Sequence, residues 1–277
     1  LTNFVTDFGF FKNPTATESW FASARLIQGK YLVIDTNAAA ASTTSRNFDY
    51  NDGWSSTNLS GYQGWSWKRH AGFEFQAYNG VSGTSSRPHS MNAVPEMIWA
   101  KRTIYAEDWV VYHKGLNGGT NPHQYYLKLN TSNAEANANQ WNAQPTSTHW
   151  FTAAGGLNNN ADQPYIAMLF ASVDGISSVG SYSPTSASTT VTCGFQPRFV
   201  IVKAATKDNN WSVADSLRGM TAGNDPALAL NENWSNDKYG GADWIDVSAT
   251  GFTVNSTGSG TADANSNGET YIYYAHA

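Results

Sequence analysis

A repeated spacing of lysine and tryptophan is the feature that most restricts how this chain can fold. Each of three lysines precedes a tryptophan by eight residues. The pairs are Lys12 and Trp20, Lys101 and Trp109, and Lys203 and Trp211. In the second and third copies the match holds with an offset of 102 positions from Pro95 and Pro197 through the tryptophans. Self-similarity of this kind indicates that one supersecondary unit was copied along the chain.

Further segments of the second and third copies also match. Residues 127–130 correspond to residues 228–231, and residues 165–171 correspond to residues 271–277. A chain built from copies presents the same surfaces several times, whereas catalysis usually needs one asymmetric group of residues. The repeat therefore argues against a single enzyme active site.

Composition favours β-structure. Charged residues make up 13% of the chain, against a usual share of about a quarter, and aromatic residues make up 14%, with 11 tryptophans. Bulky aromatic residues pack well in thin sandwiches, and neutral polar residues suit the turns between strands. The sequence therefore predicts an all-β protein of tandem antiparallel β-sandwich units formed by three internal repeats.

The third copy shows the expected series of short strands. Apolar and polar residues alternate in several of its segments, and clusters of Gly, Asn, Asp and Ser separate them. Short strands at such intervals are typical of β-sandwich modules. The predicted strands are residues 175–182, 199–203, 211–215, 228–230, 251–254 and 271–277. A single larger barrel, or a propeller-like array of three long blades, is the alternative architecture.

The copies divide the chain into three predicted units: residues 1–78, 79–174 and 175–277. The first unit is divergent, and it lacks a counterpart of the Gly-Val-Ser-Gly segment at residues 80–83. That counterpart is expected before residue 1, so we expect the first unit to be incomplete at its N-terminus. Either a longer chain continues upstream, or a partner supplies the missing strand.

Charge and hydropathy exclude two classes of partner. The net charge of -5 and the lack of basic clusters argue against binding to nucleic-acid phosphates. No apolar run approaches the roughly 18 residues that span a bilayer, so we expect no membrane insertion.

Three motifs of the third unit carry a resemblance to a known family. They are residues 193–203 (Cys-Gly-Phe-Gln-Pro-Arg-Phe-Val-Ile-Val-Lys), residues 215–219 (Asp-Ser-Leu-Arg-Gly) and residues 265–273 (Asn-Ser-Asn-Gly-Glu-Thr-Tyr-Ile-Tyr). They resemble a repeat family of virion proteins of marine bacteriophages, cyanophages especially. The second unit departs from the pattern, with His113-Lys114-Gly115-Leu116 in place of Asp-Ser-x-Arg-Gly. The first unit keeps little beyond Lys12, Trp20 and residues 62–68.

The resemblance implies a non-enzymatic structural protein of the virion. Its place would be a phage tail fibre or similar surface appendage that supports or mediates host attachment. Its partners would be other virion proteins and a host-surface glycan or protein receptor. Such appendages are usually symmetric homo-oligomers, with trimers favoured. A capsid-decorating or head-fibre protein is one alternative, and a glycan-binding or glycan-degrading module is another.

Four aromatic residues lie in polar segments that match less well between copies. Ring faces and amide groups together bind sugars, so these residues are candidate contacts for a glycan or a receptor. They are Trp234, Tyr239, Trp244 and Trp141. The alternative is that these indoles cap the sandwich or fill contacts between units. The recurring tryptophans are expected in the core, and the recurring lysines are expected to pair with carboxylates while their stems pack along the sheet.

The sequence predicts neither a catalytic residue, nor a cofactor, nor a metal site. Residues 263–269 and 49–53 resemble the start of a calcium loop, but the bidentate glutamate expected at position 12 of such a loop is replaced by Tyr274 in the first of them. We therefore interpret both segments as Asn/Asp/Gly turns. The six histidines show no metal-ligand spacing, and no Gly-x-Ser-x-Gly motif is present in the sequence. A Ser-His-Asp or paired-carboxylate site assembled from distant residues stays open as an alternative.

Overall fold

The computed structural model describes residues 2–56, 59–70, 72–185, 187–221, 223, 225–236, 243–255 and 263–277. These residues form 23 β-strands and three short 3-10 helices, with no α-helix in the described ranges. All paired strands are antiparallel, and they build several sheets in sandwich-like units. The prediction of an all-β chain of antiparallel sandwich-like units is confirmed.

The first sheet has the strand order β4-β3-β2-β1-β7, and a separate pair is formed by β5 and β6. A 3-10 helix, η1 (Arg25–Ile27), follows β2. The strands are β1 (Phe8–Lys12), β2 (Phe21–Ala24), β3 (Lys30–Val33), β4 (Ala41–Ser42), β5 (Arg46–Asn47), β6 (Ser55–Ser56) and β7 (Gln63–Trp67).

The second sheet has the order β13-β12-β11-β10-β15-β8, and a two-stranded sheet of β14 and β9 accompanies it. The helices η2 (Leu116–Gly119) and η3 (Pro122–Gln124) lie between β11 and β12. The strands are β8 (Phe73–Asn79), β9 (Ser85–Pro88), β10 (Met97–Arg102), β11 (Val110–His113), β12 (Tyr125–Lys128), β13 (Ala136–Asn137), β14 (His149–Thr152) and β15 (Pro164–Phe170).

The third sheet has the order β16-β23-β18-β19-β20, with a three-stranded sheet of β17, β22 and β21 beside it. The strands are β16 (Ser177–Tyr182), β17 (Thr189–Thr192), β18 (Phe199–Ala204), β19 (Ser212–Asp215), β20 (Leu228–Ala229), β21 (Ile245–Ser248), β22 (Gly251–Val254) and β23 (Tyr271–His276).

One apolar cluster, which we call the shared core, contains buried residues of all three large sheets. Side chains alternate across a strand, so β10 directs Met97 and Trp99 into the shared core while Ile98 and Ala100 pack in a separate cluster with Trp150 of β14. In the shared core, Trp67 of the first sheet lies against Phe170 of the second, with ring centroids 6.4 Å apart. The Trp67 indole N–H also donates to the Tyr274 hydroxyl of the third sheet at 3.0 Å. The three sheets therefore meet around common apolar contacts.

Strand pairing bears on the junctions between the units. The predicted junction at residue 78 falls inside β8, whose seven residues pair with β15 of the second sheet. Sheet pairing thus groups residues from Phe73 onward with the second unit. The junction predicted at residue 174 falls just before β16, which pairs with β23.

No helix among the described residues is both long enough and apolar enough to span a membrane.

Candidate functional site

The three recurring tryptophans lie at equivalent places where one large sheet meets the next. Each is at most 1% exposed and belongs to the shared core. Each indole N–H donates to the last backbone carbonyl of a strand in a neighbouring sheet, which is β20 for Trp20, β3 for Trp109 and β12 for Trp211. The bonds run from Trp20 to Ala229 at 2.8 Å, from Trp109 to Val33 at 3.1 Å and from Trp211 to Lys128 at 2.9 Å. These bonds close a cycle through all three sheets, which we call the inter-sheet ring.

The backbone of each tryptophan is held as well. Its backbone N–H donates to a side-chain oxygen in its own sheet, two positions after the end of β3, β12 or β20, at 2.9 Å in all three cases. The acceptors are Asp35 for Trp20, Asn130 for Trp109 and Asn231 for Trp211. Each tryptophan therefore fixes the strands of its own sheet and the end of a strand in the next sheet at once.

A second set of backbone bonds joins the same three sheets. In each of these bonds, the donor is the backbone N–H seven positions after the end of β3, β12 or β20. The acceptor is the carbonyl two positions after a recurring lysine in another sheet. The bonds run from Ala40 to Thr103, from Glu135 to Ala205 and from Asn236 to Pro14, each at 2.7 Å. Each large sheet is thus bonded to both of the others.

The recurring lysines are buried at these junctions. Lys12 and Lys203 are 0% exposed and Lys101 is 1% exposed. The prediction of carboxylate partners is wrong, because each ammonium group donates to backbone carbonyls. The acceptors are Glu18 and Asn233 for Lys12, Asn37 and Arg102 for Lys101, and Ala204 and Lys207 for Lys203. The carbonyls of Asn233 and Asn37 come from neighbouring sheets, so these lysines also tie sheets together.

Burial disfavours the charged form of these amines. It lowers the pKa of Lys12 and of Lys101 to about 8, against the opposing effect of nearby carboxylates such as Asp35 and Glu107. It lowers the pKa of Lys203 to about 7, opposed by Asp208 and Glu135. A neutral amine is a nucleophile and a base, but these amines are closed off from solvent and are occupied by carbonyl oxygens. Their geometry therefore suits a structural role.

His113 makes a further contact between the second and third sheets. Its Nδ1 accepts from the Gly115 N–H at 3.0 Å, and its Nε2 lies 3.2 Å from the Tyr273 carbonyl of β23. Because Nδ1 accepts a hydrogen bond, Nε2 carries the proton of the neutral ring, and the Nε2–H group donates a hydrogen bond to that carbonyl. Complete burial lowers the pKa of His113 to about 3. The imidazole is therefore a neutral link between the two sheets.

We expect His113→Gln to reduce the sensitivity of the fold to acid. The folded pKa of about 3 lies below the unfolded value of about 6.5, so below pH 6.5 the unfolded chain takes up a proton that the folded chain does not. Stability then falls as the pH drops from about 6.5 towards 3, at up to about 1.4 kcal/mol per pH unit. Urea unfolding at pH 7 and at pH values below 6.5 measures this slope.

His149→Gln is the matched control, because His149 is a half-exposed histidine on β14. That variant should keep the acid dependence of the unsubstituted chain, whereas His113→Gln should flatten it. Equal acid dependence in all three proteins would contradict the buried neutral state of His113.

The candidate surface contacts prove to be buried where the structure describes them. Trp141 and Trp244 are each 1% exposed and Trp234 is 7% exposed, and Tyr239 lies outside the described residues. Trp141 packs edge-on against Tyr112 and Trp244 lies in an apolar cluster of the third unit, so neither presents a ring face to a ligand. The burial of Trp234, Trp244 and Trp141 therefore favours the alternative, that these indoles pack inside the protein, over a contact with a glycan or a receptor.

Asp225, which no sequence pattern marks, explains why Trp244 folds inward. Its buried carboxylate accepts backbone N–H groups from two segments that are far apart in the sequence. The donors are Met220 at 2.9 Å, Thr221 at 3.2 Å, and Trp244 and Ile245 at 3.0 Å each. No local pattern announces such a contact, because the last two donors are 19 and 20 positions away.

We expect Trp244→Ala to destabilise the protein by about 3–5 kcal/mol, as large deletions in cores do. The reason is that Trp244 packs with Ile245, Phe252 and other buried residues of its cluster. The midpoint of chemical denaturation measures the loss. Tyr50→Ala is the control, since Tyr50 is 44% exposed and its removal should change stability by less than about 0.5 kcal/mol. An unchanged midpoint for Trp244→Ala would place that indole at the surface.

The segment that resembles a calcium loop is held by an ion pair. The Lys207 ammonium group donates to the Asp263 carboxylate and to the Ser266 hydroxyl, and that hydroxyl donates to Asp263 Oδ1 at 2.6 Å. This network lowers the pKa of Asp263 below its usual value, against the effect of partial burial. Over the described residues, no cluster of three or more histidine, cysteine, aspartate or glutamate side chains has the geometry to hold a metal ion.

Two cavities open where the first and second sheets meet. One has a volume of about 570 Å³, with Leu26, Lys30 and Thr103 in its lining, and the other has a volume of about 390 Å³, with Leu26, Glu74 and Arg87 in its lining. Ala77 and Tyr78 of β8 line both cavities. η1 thus lies over β8, with Leu26 between the two openings.

Comparison with known proteins gives one family. Neither the curated proteins nor the solved structures yield a match to this chain. The model of a domain of unknown function, DUF7483, matches residues 35–277, a range that includes all strands of the second and third sheets. The chain belongs to the DUF7483 family.

Proposed function

We propose that this chain is a non-catalytic structural module of a virion surface appendage, such as a phage tail fibre. The observation that carries the proposal is the inter-sheet ring, in which the residues that recur in the sequence hold three sheets on one core. Recurring residues of an enzyme would be expected to meet at a site open to substrate. Here the lysines and tryptophans are buried and bonded to backbone carbonyls.

The ring suits a protein that must keep its shape under load. Sheets joined only by linkers move relative to one another, whereas sheets on one apolar core open only when that core is exposed to water. Each junction also carries a backbone bond at 2.7 Å beside its tryptophan bond. Such a body can transmit force or position other parts of an assembly without hinge motion.

The location and the partners in this proposal come from the resemblance of the third unit to virion repeat proteins. The chain would contact other virion proteins and would support or mediate host attachment as part of a homo-oligomer, with a trimer favoured. A host-surface glycan or protein receptor would be met by exposed residues, since Trp141, Trp234 and Trp244 are buried.

Labelling of intact particles tests the proposal. Antibodies against the purified chain, followed by electron microscopy, should mark the tail or another appendage. Labelling spread over the whole capsid would favour the capsid-decorating alternative. Absence of the chain from purified particles would overturn the virion assignment.

A separate assay addresses the glycan-degrading alternative. The purified chain, incubated with host-surface polysaccharide, should release no reducing ends above a heat-denatured control. Release that scales with the concentration of folded chain would contradict the non-catalytic assignment.

A further inference from the structure

β7 occupies an unusual place among equivalent strands. The recurring lysines identify those equivalents, because Lys12 lies opposite Gln63 of β7, Lys101 opposite Ile166 of β15 and Lys203 opposite Ile272 of β23. β15 is paired on both sides, with β10 and β8, and β23 is paired on both sides, with β18 and β16. Among the described residues β7 pairs only with β1, so its outer edge is open.

The two filled positions show what a strand at this place touches. Ala77 of β8 lies opposite Ile166, and Ser181 of β16 lies opposite Ile272. A turn of a neighbouring sheet packs on each of these two strands. The turn η1, which follows β2, packs on β8, and the turn that follows β11 packs on β16. Leu26 of η1 lies beside Ala77, and a Cβ atom at Gly115 would stand 2.9 Å from the Ser181 Cβ.

At the third of these turns, no described strand lies along the outer edge of β7 for the turn to pack on. Leu26, Gly115 and Leu217 each lie 14 positions after a recurring lysine, so Leu217 is the equivalent residue of the third sheet. Leu217 is 79% exposed, above the exposure of the other large exposed apolar side chains. It lines a cavity of about 330 Å³ whose other walls include Gln63, Gly64, Trp65 and Ser66 of β7. An exposed leucine therefore stands over an open strand edge.

We propose that the open edge of β7 and Leu217 form an acceptor site for an extended, antiparallel β-strand of a separate polypeptide. An open edge presents unpaired backbone N–H and C=O groups, which an added strand can satisfy. The donor is a separate polypeptide of another kind because, among the described residues, the two strands that fit this place, β8 and β16, already fill it beside β15 and β23. A second copy of the chain would have its β8 and β16 occupied in the same way.

The filled positions also define the chemistry of the donor strand. Phe75 of β8 lies opposite Met168, and Val179 of β16 lies opposite Tyr274. Met168 and Tyr274 are the equivalents of Trp65, so the donor carries an apolar side chain opposite Trp65. Two positions further along, opposite Gln63, it carries a small side chain like that of Ala77 or Ser181. That small residue lies under Leu217, which the added strand would cover.

Peptide binding to the full chain tests the proposal. The probes are two fluorescent synthetic peptides that carry the sequences of β8 (residues 73–79) and of β16 (residues 177–182), each with added lysines for solubility. A third peptide, with proline in place of Phe75, is the control, since proline removes an N–H donor and resists the extended pairing. We expect saturable binding of at least one of the first two peptides and none of the third.

Two protein variants locate the binding. Leu217→Asp should weaken peptide binding about tenfold or more, because burial of the leucine side chain is lost. Leu26→Asp is the matched control, since Leu26 lies at the equivalent turn over a position that is already filled, and it should leave binding unchanged. Hydrogen exchange should show that the bound peptide slows the amides of residues 63–67.

Three results would overturn the proposal. The first is the absence of saturable binding by both strand peptides. The second is binding that Leu217→Asp and Leu26→Asp affect alike, which would place the peptide elsewhere. The third is a concentration-dependent dimer of the chain alone with slowed exchange in β7, which would make a second copy the occupant.

Discussion

Replacement of Trp211 by alanine is expected to lower the free energy of unfolding by about 3–5 kcal/mol. The indole is 1% exposed in the shared core, so its removal leaves a large cavity between sheets. The substitution also removes the N–H donor to the Lys128 carbonyl of the second sheet. An acceptor left without a partner in a buried place adds to the cost. Trp20→Ala and Trp109→Ala should give losses of similar size, because their contacts are equivalent.

Chemical denaturation of the variants measures this effect. Trp211→Phe separates the two contributions, since phenylalanine fills much of the space but cannot donate to Lys128. It should lie between the unsubstituted chain and Trp211→Ala. Val94→Ala, at a 45% exposed position, serves as the surface control and should change stability by less than about 0.5 kcal/mol. A Trp211→Ala midpoint equal to that of the control would contradict the buried position of the indole.

Lys203→Met is expected to remove a rise in stability with pH. The folded pKa of about 7 lies below the unfolded value of about 10.4, so between these values the unfolded chain holds a proton that the folded chain has lost. Stability of the unsubstituted chain therefore increases from pH 7 towards pH 10, by up to about 1.4 kcal/mol per pH unit for this lysine. Below pH 7 both states are protonated, and the cost of the buried charge is constant.

The measurement is the difference in unfolding free energy between the unsubstituted chain and Lys203→Met at several pH values from 7 to 10. Titration of the other groups largely cancels in that difference. Lys30→Met is the control, since Lys30 is exposed on β3, and its pH profile should parallel that of the unsubstituted chain. Parallel profiles for Lys203→Met would mean that the Lys203 ammonium group is hydrated in the folded protein.

The sequence indicated the strands and their recurring residues because these depend on local pattern. Alternation of apolar and polar residues places Trp211 and Val213 on one face of the strand that follows Lys203, and both are buried in the shared core. The spacing from Lys203 to Trp211 also recurs, so sequence alone could assign both residues to equivalent places in each unit. The three-unit interpretation used only these regularities.

The contacts between sheets could not be read from the sequence because they join residues far apart in the chain. Trp20 bonds to a carbonyl 209 positions away, and nothing near either residue signals the pairing. The lysines were expected to pair with carboxylates, and no local pattern indicated another partner. Their acceptors are backbone carbonyls, which every residue carries and which no sequence pattern marks.

Polar neighbours misled the interpretation of Trp244. Asp243 and the residues before it suggest an exposed loop, but the backbone at Trp244 and Ile245 is bound by the distant carboxylate of Asp225. Once that backbone is fixed, the indole lies among buried residues of the third unit. A surface assignment from local polarity fails wherever a buried acceptor of this kind satisfies the loop.

Native-state hydrogen exchange of β1, β10 and β18 tests most directly whether the three large sheets share one core. These strands carry the recurring lysines of the first, second and third sheets. We expect their amides to open with similar free energies, and we expect Trp211→Ala to lower the protection of all three strands alike. A loss of protection confined to β18 and its own sheet, with β1 and β10 unchanged, would contradict a shared core and would indicate three independent units.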